Sequence, residues 1–193
     1  NKIHTAASIA CLPQDLKFVG ENTTAVIGDD NDIRECVTIS RGTASRGTTV
    51  VCSGNLLMAY VHIALDDVVG NHCVIANRVS LAGEVEVGDW VVIGGHAALH
   101  QWIHIGDHAM IQGGALITQD VPPFIIVTNG EAHYAGINQV GLSRRGFSPE
   151  QIESIHNTCR VLFQSELSYL SGCEKAESEI PETAERNKLI EFI

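Results

Sequence analysis

From Ile27 onward, an aliphatic residue returns at every sixth position for ninety residues. The series runs Ile27, Ile33, Ile39, Ser45, Val51, Leu57, Ile63, Val69, Ile75, Leu81, Val87, Ile93, Leu99, Ile105, Ile111 and Ile117, with Ser45 the one exception. Ile3 and Ile9 fall in the same phase upstream. The position after each is often Gly or Ala (Gly28, Gly70, Ala76, Ala82, Gly88, Gly94, Gly106). The fifth position of each hexad is usually small or apolar (Val37, Cys73, Val79, Val85, Val91, Ala97, Ala109, Ala115). An amphipathic helix repeats at 3.6 and a half-buried strand at 2, so neither produces this pattern. Hexapeptide self-similarity is the mark of a parallel β-helix, in which three short strands make one triangular coil. One aliphatic side chain per strand then points inward and stacks on its equivalent three hexads later.

Each coil of such a solenoid touches only its neighbours, so stability accumulates coil by coil and the ends need caps. The 193 residues suffice for one solenoid of about eight coils and a tail. We read residues 1–123 as the β-helix and 124–193 as an irregular segment with a helical tail. The first residue is Asn1, and the hexad phase is already running at Ile3. The expectation is that an N-terminal segment is missing or that something outside this chain covers the first coil.

Two loop insertions interrupt the hexads, at about 11–25 and 40–49. The first carries Pro13 and Gly20; the second, RGTASRGT, is rich in Gly, Ser and Thr. Insertions in a solenoid project from one face or corner and commonly build its binding site. At Asp120-Val-Pro-Pro the period stops, and two prolines are expected to end strand pairing. Phe124 to Phe147 reads as irregular, with glycines at 130, 136, 141 and 146. Ser148-Pro149-Glu150-Gln151 then supplies an N-cap, a first-turn Pro and a Gln three residues after the Ser. Ile152, Ile155, Cys159, Leu162 and Phe163 give the following helix one buried face. A second, weaker helix is predicted from about Thr183 to Ile193. Such a tail can cap the last coil and pack on a neighbouring subunit.

The chain has 23 acidic and 12 basic residues, a net charge of −11. That balance argues against a general binder of nucleic acid or anionic membrane. No apolar run approaches the roughly 18 residues of a bilayer span, and no signal peptide is visible. The six cysteines show no CxxC or zinc-ribbon spacing. Cys73, at an inward hexad position, reads as a reduced core residue. A reducing cytoplasm is the compartment this implies.

Several local strings match one family: PQDLKF (13–18), IREXVTIXRGT (33–43, Cys36 and Ser40 in the variable places), NLLMAYVHIA (55–64), GNHCVIAN (70–77), HQW (100–102), MIQGG (110–114), QDVPPF (119–124) and GLSRRGFS (141–148). They span nearly the whole chain and resemble the UDP-N-acetylglucosamine O-acyltransferases that begin lipid A biosynthesis. Hexads alone would say little of function, since many acyltransferases share them; PQDLK and GLSRRGF are far more specific. The resemblance implies a left-handed β-helix, a homotrimer with sites between adjacent solenoids, and no cofactor. It also implies acyl carrier protein as donor partner and UDP-N-acetylglucosamine as acceptor. A histidine takes the proton from the sugar 3-hydroxyl, which attacks the thioester of a 3-hydroxyacyl group. An unassisted alcohol, with a pKa near about 15, is a poor nucleophile.

At the base position the chain departs from the family. The family motif reads His-Ile-Ala-His-Asp; here the string is His62-Ile63-Ala64-Leu65-Asp66. Leu65 can neither accept a proton nor orient a hydroxyl, and Asp66 loses the base it steadies in the family. Loss of a general base costs about 10²–10⁴ in rate, so impaired turnover is expected. His62 is read as a substrate contact, with a hydrogen-bonded corner histidine and a substitute base as its alternatives. By the same resemblance Gln14, Asp15 and Lys17 face the substrate from a neighbouring subunit, unless they are simply a solvated loop. Gln101 beside His100 contacts substrate, and Arg144 suits phosphate through its planar fork. The Arg144-Arg145 pair is a local exception to the acidic charge, which favours phosphate or carrier contact. Met110 and Gly113 would limit acyl-chain depth, with room for a long chain at Gly113, although a corner glycine explains that residue nearly as well. Glu84 stands where many family members have a histidine and is carried over only weakly.

Other function classes fit the residues less well. Trimeric hexapeptide solenoids also serve as zinc carbonic anhydrases, but zinc needs three converging nitrogen ligands. His72 and His108 share a column, yet the third ligand position holds Gly113. His96, His100, His104 and His108, spaced by four, fall on different corners of a hexad coil. No metal site is therefore predicted. Leu65 makes a protein that keeps the pockets without turnover a serious contender, while acetyltransferases using coenzyme A are disfavoured by PQDLK and GLSRRGF.

Overall fold

A computed structural model describes residues 1–128 and 134–193. Gly130, counted above in the irregular stretch, lies outside the described residues. The chain is a left-handed parallel β-helix with three flat faces, followed by helices. Face A stacks Lys2–Ile3, Asp32–Ile33, Leu56–Leu57, Val74–Ile75, Val92–Ile93, Met110–Ile111 and Ile125–Val127. Face B stacks Ser8–Cys11, Thr38–Ser40, His62–Ile63, Ser80–Leu81, Ala98–Leu99 and Leu116–Ile117. Face C stacks Thr24–Ile27, Thr48–Val51, Val68–Val69, Glu86–Val87 and His104–Ile105.

The period explains the interior. In most strands the first residue faces out and the second is the hexad aliphatic, which points in. From Ile33 to Ile117 the inward aliphatics are at most 3 % exposed. Each such burial is worth about 1.5–3 kcal/mol. The fifth-position residues Val37, Val79, Val85 and Val91 are buried with them. At each corner one residue takes the left-handed conformation, among them Tyr60, Asp66, His72, Arg78, Glu84, Trp90, His96, Trp102 and His108. That conformation costs about 1–2 kcal/mol in a residue with a Cβ. Part of the cost is offset where the side chains of successive corners stack, as His72 on Trp90 with ring centroids 4.3 Å apart.

Strand pairing measures the insertions. Regular coils pair residues 18 apart, as Val74 with Val92. Lys2 instead pairs with Asp32, and Thr24 with Thr48. The loop before Thr24 therefore adds twelve residues and the loop before Thr48 adds six. Both lengths are multiples of six, so the aliphatic phase crosses them unbroken. Ser45, the failed position, sits exposed in the second loop.

The expectation that prolines end the pairing is corrected. Val121 bridges Ile105, and Ile126–Val127 pair with Met110–Ile111. Pro122 and Pro123 occupy the corner between these segments, where the missing amides are not required. Tyr134–Ile137 then adds an antiparallel strand. Four helices follow: α1 (Gln139–Arg144), α2 (Pro149–Phe163), α3 (Tyr169–Glu179) and α4 (Ala184–Phe192). The capping box at α2 is present in both directions, and α2 buries Ile155, Cys159 and Leu162. α1 and α3 were missed by periodicity. α1 is short and is set by its Asn138 cap, whose amide also donates to the His108 carbonyl at 2.9 Å. α3 buries only Gly172 and Ala176, too little for an apolar stripe to register.

Candidate active site

Between faces B and C one edge of the prism collects most of the candidate residues, with His62 on face B beside it. Down that edge run the loop 12–23, the loop 41–47 and the turns at 64–67, 82–85 and 100–103. The pieces touch in sequence. The Arg41 guanidinium lies over the Phe18 ring, the Glu84 amide donates to the Leu65 carbonyl at 3.0 Å, and the Trp102 amide donates to the Gly83 carbonyl at 3.2 Å. Gln14, Asp15, Lys17, His62, Leu65, Asp66, Glu84 and Gln101 are thus gathered on or beside one edge although 87 residues separate the first from the last.

Leu65 is half-buried and lies against Gly83, which has no side chain in the way and takes a φ of +112°. Asp66 is fully buried and far from idle. Its carboxylate accepts from the Thr43 amide at 3.0 Å and the Thr43 hydroxyl at 2.5 Å. With Leu65 in the base position Asp66 has no imidazole to steady, and its carboxylate instead ties the 41–47 loop to the turn. Thr49 accepts from the Asp66 amide at 2.8 Å. Asp67, also fully buried, accepts from the Ala64 and Val85 amides, and its burial pushes the carboxyl up to about 7.

His62 projects from face B beside the turn, and its Nδ1 lies 2.7 Å from the Thr38 hydroxyl. Burial lowers its pKa below the ordinary imidazole value, so the neutral ring dominates at pH 7. Glu84 is engaged by Arg46 at 3.7 Å, and Arg46 reaches Glu86 at 2.6 Å. Gln14 and Lys17 are exposed on their loop, while Asp15 accepts from the Lys17 amide at 2.9 Å. Gln101 is exposed, and His100 Nδ1 approaches its carbonyl at 3.3 Å.

The remaining candidates lie elsewhere in the chain. Met110 projects from face A, and Gly113 sits on the A–B edge. A Cβ at Gly113 would lie 3.1 Å from the Gly95 carbonyl, so close coil stacking accounts for this glycine. Arg144 is exposed at the end of α1, near the C–A edge. Arg145 instead turns inward over the Trp90 ring, 3.4 Å from His108 Nδ1, which divides the arginine pair. Burial and Arg145 lower His108 to about 4. His72, Trp90 and His108 form one stacked column. His96 and His100 lie on two other edges and His104 on face C. Among the described residues no group of three or more His, Cys, Asp or Glu is placed to hold a metal ion.

A family model described as UDP-N-acetylglucosamine O-acyltransferase, domain 2, matches residues 120–193. The acyl-[acyl-carrier-protein]–UDP-N-acetylglucosamine O-acyltransferase of Burkholderia lata is 42% identical over 185 residues, covering 95% of this chain and 69% of that protein. Its counterpart in Xylella fastidiosa is 42% identical over 195 residues, covering 100% of this chain and 74% of its own length. The chain belongs to this acyltransferase family. The solved UDP-N-acetylglucosamine acyltransferase of Bacteroides fragilis superposes with a TM-score of 0.98 at 46% identity, covering 99% of this chain and 75% of that one. The Moraxella catarrhalis enzyme superposes at 0.95 with 38% identity, covering 100% and 75%.

Sequence reasoning missed Thr43, Arg46 and Asp67 as members of this edge. Thr43 and Arg46 sit in a polar loop whose fold no period describes. Asp67 had a legible signal: it is a carboxylate at a fifth hexad position where the next three hexads carry Cys73, Val79 and Val85.

Proposed function

We propose that the chain binds UDP-N-acetylglucosamine and a 3-hydroxyacyl group carried by acyl carrier protein, the substrates of the first step of lipid A biosynthesis. In that reaction the sugar 3-hydroxyl oxygen bonds to the thioester carbonyl carbon, the C–S bond breaks, and the hydroxyl proton ends on the departing thiol. Leu65, resting on Gly83 at the position of the family's base, carries the reading that turnover is impaired. It supplies no proton acceptor, and Asp66 is committed to Thr43. His62 is the neighbouring imidazole able to accept a proton, but one ring nitrogen is engaged by Thr38.

The site is read as shared between copies of a cytoplasmic homotrimer. Two observations support this. Met110 lies on face A and Gly113 on the A–B edge, whereas Leu65 lies on the B–C edge, so one chain keeps the two groups apart. The 12–23 loop exposes Leu12, Leu16 and Val19 at 64%, 105% and 88%, an apolar surface suited to a neighbour. Gln14, Asp15 and Lys17 then reach an adjacent copy's edge, and Arg144 receives phosphate. Gln101 and Glu84 line the edge, and Met110 and Gly113 bound the acyl chain. No helix of the described residues is long and apolar enough to cross a membrane, and membrane insertion is not part of the reading.

Leu65→His tests it, with transfer of a 3-hydroxyacyl group to UDP-N-acetylglucosamine as the assay. Turnover is expected to rise by about 10²–10⁴, the worth of a general base. Equal activity in both proteins would make His62 the base and overturn the role given to Leu65. Silence in both, with retained sugar-nucleotide binding, would favour a binding protein, the reading that Leu65 also supports.

A further inference from the structure

Buried polar side chains break the aliphatic interior at two edges. On the C–A edge Asn55 accepts with Oδ1 from the Cys73 amide, eighteen residues on, and donates with Nδ2 to the Gly70 carbonyl. On the B–C edge Asp67 performs the first of these tasks, accepting from the Val85 amide at 2.9 Å. Its second oxygen accepts at 2.7 Å from the Ala64 amide, inside the turn that carries Leu65. An asparagine cannot do both, since its NH₂ would face one of the two N–H groups. Protonation of the acid likewise turns one acceptor oxygen into a hydroxyl and adds a proton that needs its own partner.

We propose that Asp67 is a positioning residue: its ionised carboxylate holds the 64–67 turn against the next coil, and its protonation loosens that turn and weakens ligand binding on this edge. The ligand half of this rests on the function proposed above. The charged groups around Asp67 are Asp66 on its own turn, Arg46 on the loop 41–47 and Glu84 on the coil beyond. Asp66 is held by Thr43, and Arg46 is shared between Glu84 and Glu86. None of them neutralises Asp67 directly, and burial lifts its pKa to about 7, which brings the change into the neutral range.

The two consequences have opposite signs. Because the folded value lies above the ordinary carboxylate value of about 3.9, the fold holds a proton that the unfolded chain has released. The stability contributed is fully present below about pH 4 and is lost as pH rises towards 7. Binding runs the other way: the loosened turn leaves the carboxyl buried but without the Ala64 and Val85 amides, whose hydrogen bonds hold its pKa down, so protonation favours the loosened form and ionisation the held one. The ionised fraction rises from about a tenth at pH 6 to about nine tenths at pH 8, and affinity scales with the competent fraction.

The experiment measures hydrogen exchange of the Ala64 amide, corrected for intrinsic rates, and calorimetric binding of UDP-N-acetylglucosamine, at pH 6 and pH 8. In the unmodified chain both protection and affinity are expected to rise about tenfold at pH 8. Asp67→Asn and Asp67→Val, the latter matching the column residues Val85 and Val121, are expected to be weak and flat with pH. The Val variant guards against a misfolded Asn variant. Protection that does not change with pH in the unmodified chain, or a Val variant that binds as tightly at pH 8, overturns the proposal. If Ala64 protection titrates only when Asp67 is present but UDP-N-acetylglucosamine never binds, the positioning role stands and the functional reading falls.

Discussion

Leu65 and Asp66 are neighbours in the chain with opposite settings. Leu65 takes the outer side of the edge and rests on Gly83, whereas Asp66 turns under it to receive Thr43. A buried carboxylate that accepts an amide and a hydroxyl makes charge-assisted bonds, stronger than neutral ones. Removing it leaves both Thr43 donors unpaired, at a cost of about 1–3 kcal/mol each in principle. Asp66→Ala is therefore expected to lower unfolding stability by about 2 kcal/mol, read from the urea midpoint, and to free the 41–47 loop. Faster tryptic cleavage after Arg46 is the second readout; an unchanged rate would show that Asp66 does not anchor the loop.

At the level of the coil, the glycines after the inward aliphatics are set by close approach rather than by turn geometry. A Cβ on Gly94 would fall inside contact distance of the Gly113 backbone nitrogen, and one on Gly106 would meet Pro123. Flat backbone thus passes over flat backbone wherever one coil lies on the next. Gly94→Ala forces the strands Val92–Ile93 and Met110–Ile111 to separate locally, and overpacking of this kind costs about 1–3 kcal/mol. A fall in the urea midpoint is expected, with no change in oligomeric mass. The helical elements follow different rules: α4 is tied to the C–A edge by Lys188, which pairs with Asp107.

For the whole molecule, stability is a sum over coil interfaces, and the apolar loop at one edge is left uncovered by its own chain. Sedimentation at micromolar concentration is expected to give three times the 20.8 kDa of one chain. A monomeric mass would contradict the shared site and leave Leu12, Leu16 and Val19 unexplained. Replacing Leu16 with Glu, at the fully exposed loop tip, is expected to shift that mass downward without unfolding the solenoid.

Much of this was legible in the residues alone. A six-residue period admits one compact solution, because only a three-faced coil turns every sixth side chain to the same interior line. The strings around His62, Gln101 and Arg144 identified the family, and Leu65 declared itself by being unable to hold a proton. What the sequence could not supply was adjacency across coils. Insertions of twelve and six residues preserve the phase, so nothing in the period reveals that the two loops rise on one edge above Leu65. Nor does it reveal that Thr43 reaches Asp66, or that Asp67 meets an amide eighteen residues on. Those contacts depend on how coils stack in register, and register is decided by backbone hydrogen bonds between segments far apart in the chain.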